Sequence, residues 1–237
     1  MAQLKIAFIL AGGKGERLRP LTDRVPKTLL EVAGKPVLQY NIDNARKHGV
    51  KKIVLGTGIK AEKIRRFFGS GKKFGVKIFY SKEKFPQGTA GALKLAEKFL
   101  RREKAFIMCN GDEVKNIDYS KLLKLHTKFR PIATIALVRV KDASHFGSVK
   151  VNGPRVLSFE EKKKIKKPGL VNAGAYVLDP AIFAFIPKGK NASIERDVFP
   201  VLAEFGLLCG IPAVKKWLPI DSIEKLNLAR KIMGAKK

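Results

Sequence analysis

The unbroken apolar run Ile6-Ala7-Phe8-Ile9-Leu10, followed at once by Ala11-Gly12-Gly13-Lys14-Gly15, limits what this chain can fold into more than any other stretch. A run without polar alternation reads as a strand buried on both faces, at the centre of a parallel sheet. The loop leaving the carboxyl end of such a strand is where open α/β sheets hold ligands. Gly12, Gly13 and Gly15 let the backbone turn sharply and bring its amides against phosphate oxygens with no side chain in the way. Lys14, Arg17, Arg19 and Lys27 add cationic side chains around the same loop. The stretch reads as a polyphosphate cradle.

Two common phosphate loops do not fit it. A Walker loop needs Gly-Lys followed by Ser or Thr, and here Gly13-Lys14 is followed by Gly15. A dinucleotide loop needs a third glycine where Leu18 stands and an acid after the second strand, where Leu55-Gly56-Thr57-Gly58 offers none.

After the loop, Pro36 opens a helical pattern with Val37, Leu38, Ile42 and Ala45 on one face, closed by His48-Gly49. A strand at 52–55, a short basic helix at 61–68 and a strand at 76–80 follow. This β-α-β-α-β order predicts right-handed crossovers and a parallel sheet. Thr89 is placed to cap a helix running to Arg101, and Gly88 permits close approach of a planar group. A strand at 105–109 delivers Asn110-Gly111-Asp112-Glu113, where an acid at a strand's carboxyl end is well placed to hold Mg²⁺ against phosphates. Residues 118–130 predict an amphipathic helix in which His126 is structural, and 132–140 a long strand. Ser193 has the spacing of a helix cap, with Glu195 and Asp197 in the first turn, where dipole stabilisation accounts for them. Asp221 has the position of a cap for a final helix at 223–233.

Taken together, Gly-Gly-x-Gly-x-Arg-Leu-x-Pro-Leu-Thr, Pro26-Lys27 and Gly34-Lys35-Pro36 resemble the signature of the sugar-phosphate nucleotidyltransferases, also called nucleoside-diphosphate-sugar pyrophosphorylases. The middle and closing elements are most similar to the mannose- and heptose-1-phosphate guanylyltransferase branch. The resemblance implies a three-layer α/β/α Rossmann-like fold with a mixed, mostly parallel sheet. It forms a single domain over 1–237, with a nucleotide-binding half at 1–113 and a sugar-phosphate-binding half at 114–237. It implies Mg²⁺-dependent transfer of a nucleotidyl group from a nucleoside triphosphate to a sugar 1-phosphate, releasing pyrophosphate. By the same resemblance Arg17, Lys27 and Asp112 are catalytic, and Leu10, Ala11, Gly12, Gly13, Lys14, Gly15, Gln87, Gly88 and Thr89 bind nucleotide. Gly147, Glu161, Lys162, Asn172 and Gly174 bind the sugar phosphate. The resemblance also implies that Asp112 is a metal ligand. Pro219 stands where the family has its second metal aspartate, so either Asp221 reaches the metal from two places on, or the metal has one protein ligand, or activity is impaired. The side chains at Glu83 and Gln87 leave the base open. No hexapeptide repeats occur, so no acyltransferase β-helix is expected.

Composition supports a sizeable core, with 45% hydrophobic residues in 237. Cys109 and Cys209 sit in apolar runs and read as buried, reduced thiols of a cytoplasmic protein. Neither a membrane-inserting segment nor a signal peptide is expected, and homo-oligomerisation is left open. Lys plus Arg number 49 against 20 Asp plus Glu, a formal +29. Ion-pair networks need acids, so most of these bases are left to anions, and nonspecific polyanion binding at low salt is expected. That charge, with Pro219, also suits an alternative: a catalytically weak homologue acting as a nucleotide- or RNA-binding regulatory or assembly module.

Overall fold

A computed structural model describes residues 3–144, 146–160, 166–187 and 191–234. The predicted first strand, β1 (Ile6–Leu10), is followed by the short helix α1 (Leu21–Arg24) and a small antiparallel pair, β2 (Glu31–Val32) and β3 (Lys35–Pro36). Helix α2 (Val37–Lys47), strand β4 (Lys52–Thr57), helix α3 (Ala61–Phe68) and strand β5 (Lys77–Lys82) then alternate as their periodicity predicts. Helices α4 (Gly88–Leu95) and α5 (Glu97–Leu100) precede β6 (Phe106–Asn110), β7 (Glu113–Ile117) and helix α6 (Tyr119–Phe129). Strands β8 (Ala133–Val140), β9 (Ser148–Asn152), β10 (Arg155–Glu160) and β11 (Gly169–Leu178) follow. A π-helical turn (Ile194–Val198) leads into α7 (Phe199–Glu204), and the described chain closes with β12 (Leu208–Pro212), β13 (Val214–Pro219) and α8 (Ile223–Gly234).

Among the described residues, nine strands form one sheet in the order β5-β4-β1-β6-β11-β8-β12-β10-β9. Pairing is parallel from β5 to β6 and between β8 and β12, and antiparallel elsewhere. The carboxyl ends of β1 and β6 lie together, because Leu10 pairs with Asn110. β11 runs antiparallel beside β6 with Ala175 opposite Cys109, so the residues just before Ala175 project past the same end. The nucleotide-binding and sugar-binding expectations therefore meet at one edge of one sheet.

Alternation along β1 builds the layers. Ile6 and Phe8 face a core shared with Leu93 of α4 and Phe199 of α7, while Ala7 and Ile9 face one shared with α2, α3 and α6 through Leu38, Ile64 and Leu122. A third, smaller cluster joins Leu18, Val32, Val37 and Val114 to Ile220, Leu226 and Ala229. It clamps α8 and the chain entering it against the loop after β1. Among the described residues, no helix is long and apolar enough to cross a membrane.

Three local expectations are corrected. The helix from Thr89 to Arg101 is broken at Ala96, whose ψ of −2° lifts one turn out of the α geometry and starts a second short helix. The final helix is capped by Ser222, not Asp221: Ser222 Oγ accepts the Lys225 amide at 3.3 Å, three residues into the helix as a cap requires. Thr89 does not cap α4 either, since Gln87 holds that position without a side-chain bond. His48 and His126 are structural as expected; His126 is 6% exposed and its Nδ1 lies 3.0 Å from Thr134 Oγ1.

Candidate functional site

The loop after β1 has φ of 113° at Gly13 and 67° at Gly15, a region open to glycine at no steric cost. At Gly15 a Cβ would also sit 3.0 Å from the Thr22 methyl, and Thr22 Oγ1 donates to the Gly15 carbonyl at 2.8 Å. The cradle is thereby held by the buried side of α1. It opens on a cleft of about 660 Å³ lined by Gly12, Gly13, Lys14, Gly15, Arg17 and Lys27 from the loop, by Gly58 and Ile59, and by Glu83, Lys84, Phe85 and Pro86. Leu10 and Ala11 lie behind the cradle: the Ala11 amide is engaged by Gly56 O at 2.7 Å and Leu10 O by the Gly111 amide at 2.8 Å.

A smaller cavity of about 250 Å³ adjoins this cleft, lined by Asn110, Glu113, Phe146, Gly147, Asn172, Gly174, Glu195 and Trp217 among others. Four residues line both spaces: Arg17, Lys27, Asp112 and Asp221. Lys27 Nζ lies 2.6 Å from Asp112 Oδ2. Asp221 faces Arg17 Nη1 at 3.4 Å and Lys225 Nζ at 2.7 Å. Burial pushes the Asp221 carboxyl up, but Lys225, Arg17 and Lys27 outweigh it and hold it below the usual range. With Ser222 taking the helix cap, Asp221 is free for the cleft. Pro219 pairs with Glu113 at the end of the ribbon formed by β7 and β13, and Ile220, 1% exposed, roots the chain so that the next residue emerges at the junction.

Asn172 and Gly174 lie where β11 loses register with β8 between Asn172 and Tyr176. Asn172 Oδ1 accepts the Gly174 amide at 2.9 Å, while its Nδ2 donates to Tyr176 Oη at 2.9 Å. The space a Cβ would take at Gly174, where φ is 59°, is filled by Asn110 Nδ2 at 2.5 Å and Glu113 Oε2 at 3.2 Å, so this glycine is required by protein neighbours. Gly147 accepts the Asn172 amide at 3.0 Å, which joins it to the same wall. Glu161 and Lys162 lie outside the described residues.

The segment expected to hold the base also packs against the chain around the π-helical turn. A Cβ at Gly88 would come within 2.3 Å of Ala192 O, and the Gln87 carbonyl accepts the Ala192 amide at 2.9 Å. Thr89 Oγ1 donates to Glu195 Oε2 at 2.6 Å and accepts the Ile194 amide at 2.8 Å. Gln87, Gly88 and Thr89 thus anchor the π-helical turn, and none of them is among the described residues lining the larger cleft. Glu83 lines it instead. Its Oε1 accepts the Gln87 amide at 3.1 Å, and burial raises its carboxyl above the usual range against that bond.

Two groups were missed from sequence. Glu195, expected to serve the helix dipole, accepts from Thr89, from Ser193 Oγ at 2.7 Å and from Tyr176 Oη at 3.2 Å while lining the smaller cavity. Lys115, inside a strand, has no exposed side-chain surface and pairs with Glu113 at 2.8 Å. The Glu113-x-Lys115 spacing, which puts an acid and a base on one face of a strand, is the signal that could have marked it.

Among the described residues, no group of three or more His, Cys, Asp or Glu side chains gathers as a metal cage. Asp112 and Asp221, both at the junction of the cavities, are nevertheless a hard, all-oxygen donor set. Mg²⁺ is commonly held by one or two carboxylates, with phosphate and water completing the shell, and this pair fits that pattern.

A family profile described as nucleotidyl transferase matches residues 6–221. Mannose-1-phosphate guanylyltransferase of Mycobacterium tuberculosis is 38% identical over 201 residues, covering 84% of this chain and 56% of that one. D-glycero-alpha-D-manno-heptose 1-phosphate guanylyltransferase of Aneurinibacillus thermoaerophilus is 35% identical over 191 residues, 81% of this chain and 82% of its own. The crystal structure of HddC from Yersinia pseudotuberculosis complexed with GMP-PN superposes with a TM-score of 0.81 at 28% identity, covering 97% of this chain and 99% of that one. The chain spans between half and two thirds of the length of the first curated relatives it matches.

Proposed function

The chain belongs to the nucleotidyl transferase family, and we propose that it transfers a nucleotidyl group from a nucleoside triphosphate to a sugar 1-phosphate. An oxygen of the sugar 1-phosphate attacks the α-phosphorus. The bond from that phosphorus to the bridging oxygen breaks in line, and pyrophosphate leaves with the negative charge. Such transfers need positioning and charge neutralisation more than covalent help from the protein.

The observation that carries this reading is the sharing of Arg17, Lys27, Asp112 and Asp221 by two adjoining cavities. A reaction between two phosphorylated substrates needs one cationic junction where both phosphates meet. The glycine amides and Arg17 hold the departing pyrophosphate, and Lys27 exchanges Asp112 for the α-phosphate. Lys162 is assigned the incoming phosphate. Members of the family generally depend on a divalent cation; here Asp112 and Asp221 would hold Mg²⁺. When bound, it supplies neutralising charge at the α-phosphate.

Glu83 points to the base. An acceptor-only carboxylate in the larger cleft matches an edge with adjacent donors, and among the bases guanine offers N1–H beside N2–H₂. The guanylyl names of the two relatives support the same choice, and their sugars make manno-configured 1-phosphates the first candidates. The rival reading as a catalytically weak binding module draws on Pro219 and on the +29 charge; the position of Asp221 in the cleft supports the transferase reading instead.

The test is pyrophosphate release with Mg²⁺ from each nucleoside triphosphate against mannose-, glucose-, heptose- and N-acetylhexosamine 1-phosphates, with Asp112→Ala as the blank. Release that needs both substrates and Asp112, and is fastest with GTP, is expected. Silence across the panel with nucleotide still bound would return the binding-module reading.

A further inference from the structure

The smaller cavity contains an ion pair that the transfer chemistry above does not use. Lys115 Nζ donates to Glu113 Oε2 at 2.8 Å, to Gly174 O at 2.7 Å and to Ala173 O at 3.3 Å. An ammonium has three protons, and all three are engaged. The two carbonyls belong to the stretch of β11 that has left register with β8 between Asn172 and Tyr176. Lys115 supplies the donors that the neighbouring strand withholds there. It therefore binds the Glu113 end of β7 to the bulge that carries Asn172.

Glu113 differs from its partner in one respect: 14% of its side chain is exposed, and it lines the smaller cavity beside Asn172, Gly174 and Glu195. An ionised carboxylate has about four acceptor positions, so the Lys115 ammonium, with Trp217 as a second donor, still leaves capacity for a hydroxyl arriving from the cavity. An isolated acid would repel a phosphorylated ligand. Paired with Lys115, Glu113 presents acceptor oxygens with its charge compensated, which suits the hydroxyl face of a sugar phosphate. A pair needed only for packing would have no reason to keep one partner open to the cavity, since apolar residues of like volume serve a buried site as well.

We propose that Glu113 is a specificity-determining residue that accepts a hydroxyl of the sugar 1-phosphate, and that Lys115 is the positioning residue that fixes its carboxylate and the adjoining bulge. The inference rests on the sugar 1-phosphate reading above.

The experiment is steady-state kinetics of the wild type, Glu113→Gln and Lys115→Met at saturating triphosphate. The substrates are the best sugar 1-phosphate and its monodeoxy derivatives. With Lys115 holding the amide oxygen, Glu113→Gln turns an NH₂ donor toward the cavity in place of an acceptor. Its KM for the sugar phosphate is expected to rise about tenfold or more, with the KM for triphosphate within about twofold. One deoxy derivative, penalised about tenfold or more by the wild type, is expected to lose most of that penalty in Glu113→Gln, and in Lys115→Met wherever that variant folds by circular dichroism. Should Lys115→Met not fold, the near-isosteric Glu113→Gln carries the test alone. A uniform loss on every derivative, or unchanged kinetics in Glu113→Gln, overturns the inference while leaving the transfer reaction standing. A wild type that turns over no sugar phosphate overturns the reaction and the inference with it.

Discussion

Lys27 and Asp112 meet at 2.6 Å with both side chains partly shielded, so in the absence of ligand the site neutralises itself. A phosphate that displaces Asp112 from Lys27 finds the cation already in place at the junction. Lys27→Ala and Arg17→Ala are each expected to lower turnover by roughly 10²-fold or more, the scale of one preorganised charge contact; turnover at wild-type level in Lys27→Ala would exclude the role. Two adjacent residues divide the labour at the start of α8. Asp221→Asn should depress turnover without moving the melting temperature, whereas Ser222→Ala should cost about 1 kcal/mol, roughly 2–4 °C, and leave turnover intact. From sequence both look like caps. Only the path of the chain over Ile220 separates them. His126 gives a pH signature of its own: burial lowers its pKa to about 4 despite Asp179 nearby. The unfolded chain binds the proton first, from about pH 6.5 downward, so stability is full above that value and is lost as pH falls toward 4. The loss should approach about 3 kcal/mol and be absent from His126→Leu melts taken over the same range.

At the scale of elements, the turn between Glu83 and α4 shows why local signals mislead. Thr89 and Gly88 carry the composition of a cap and a flat approach, yet both serve the π-helical turn more than 100 positions later. Gly88 holds φ of 75° with Ala192 O in the path of a Cβ, so Gly88→Ala is expected to destabilise by roughly 2 kcal/mol or more, read as a lower urea midpoint. Loss of activity without loss of stability in that variant would restore a direct ligand role. The helices α2, α3 and α6 were legible because their apolar periodicity and end residues are contained within each segment. The ribbon of β7 with β13 was not: Glu113 pairs with Pro219, and no periodicity within either strand names so distant a partner.

Over the whole molecule, the formal +29 is set against acids of which several are held at the site or in pairs, as Asp112, Asp221 and Glu113 are. The remainder is a diffuse positive field. It predicts that binding of an RNA oligonucleotide, followed by fluorescence anisotropy, weakens by roughly 10³-fold or more between about 50 and 200 mM salt; affinity indifferent to salt would exclude binding through that field. By itself the sequence determined the buried first strand, the glycine cradle, the cations around it and the amphipathic helices, because each depends on dihedral preferences and apolar spacing among neighbours in the chain. Only the tertiary structure decided that Lys27 reaches Asp112 across 85 positions, that Asp221 enters the cleft where Pro219 cannot, and that Lys115 finds its three acceptors. Those contacts follow from which apolar faces pack together, above all the cluster of Leu18, Ile220 and Leu226 that brings the chain's last helix to its first loop.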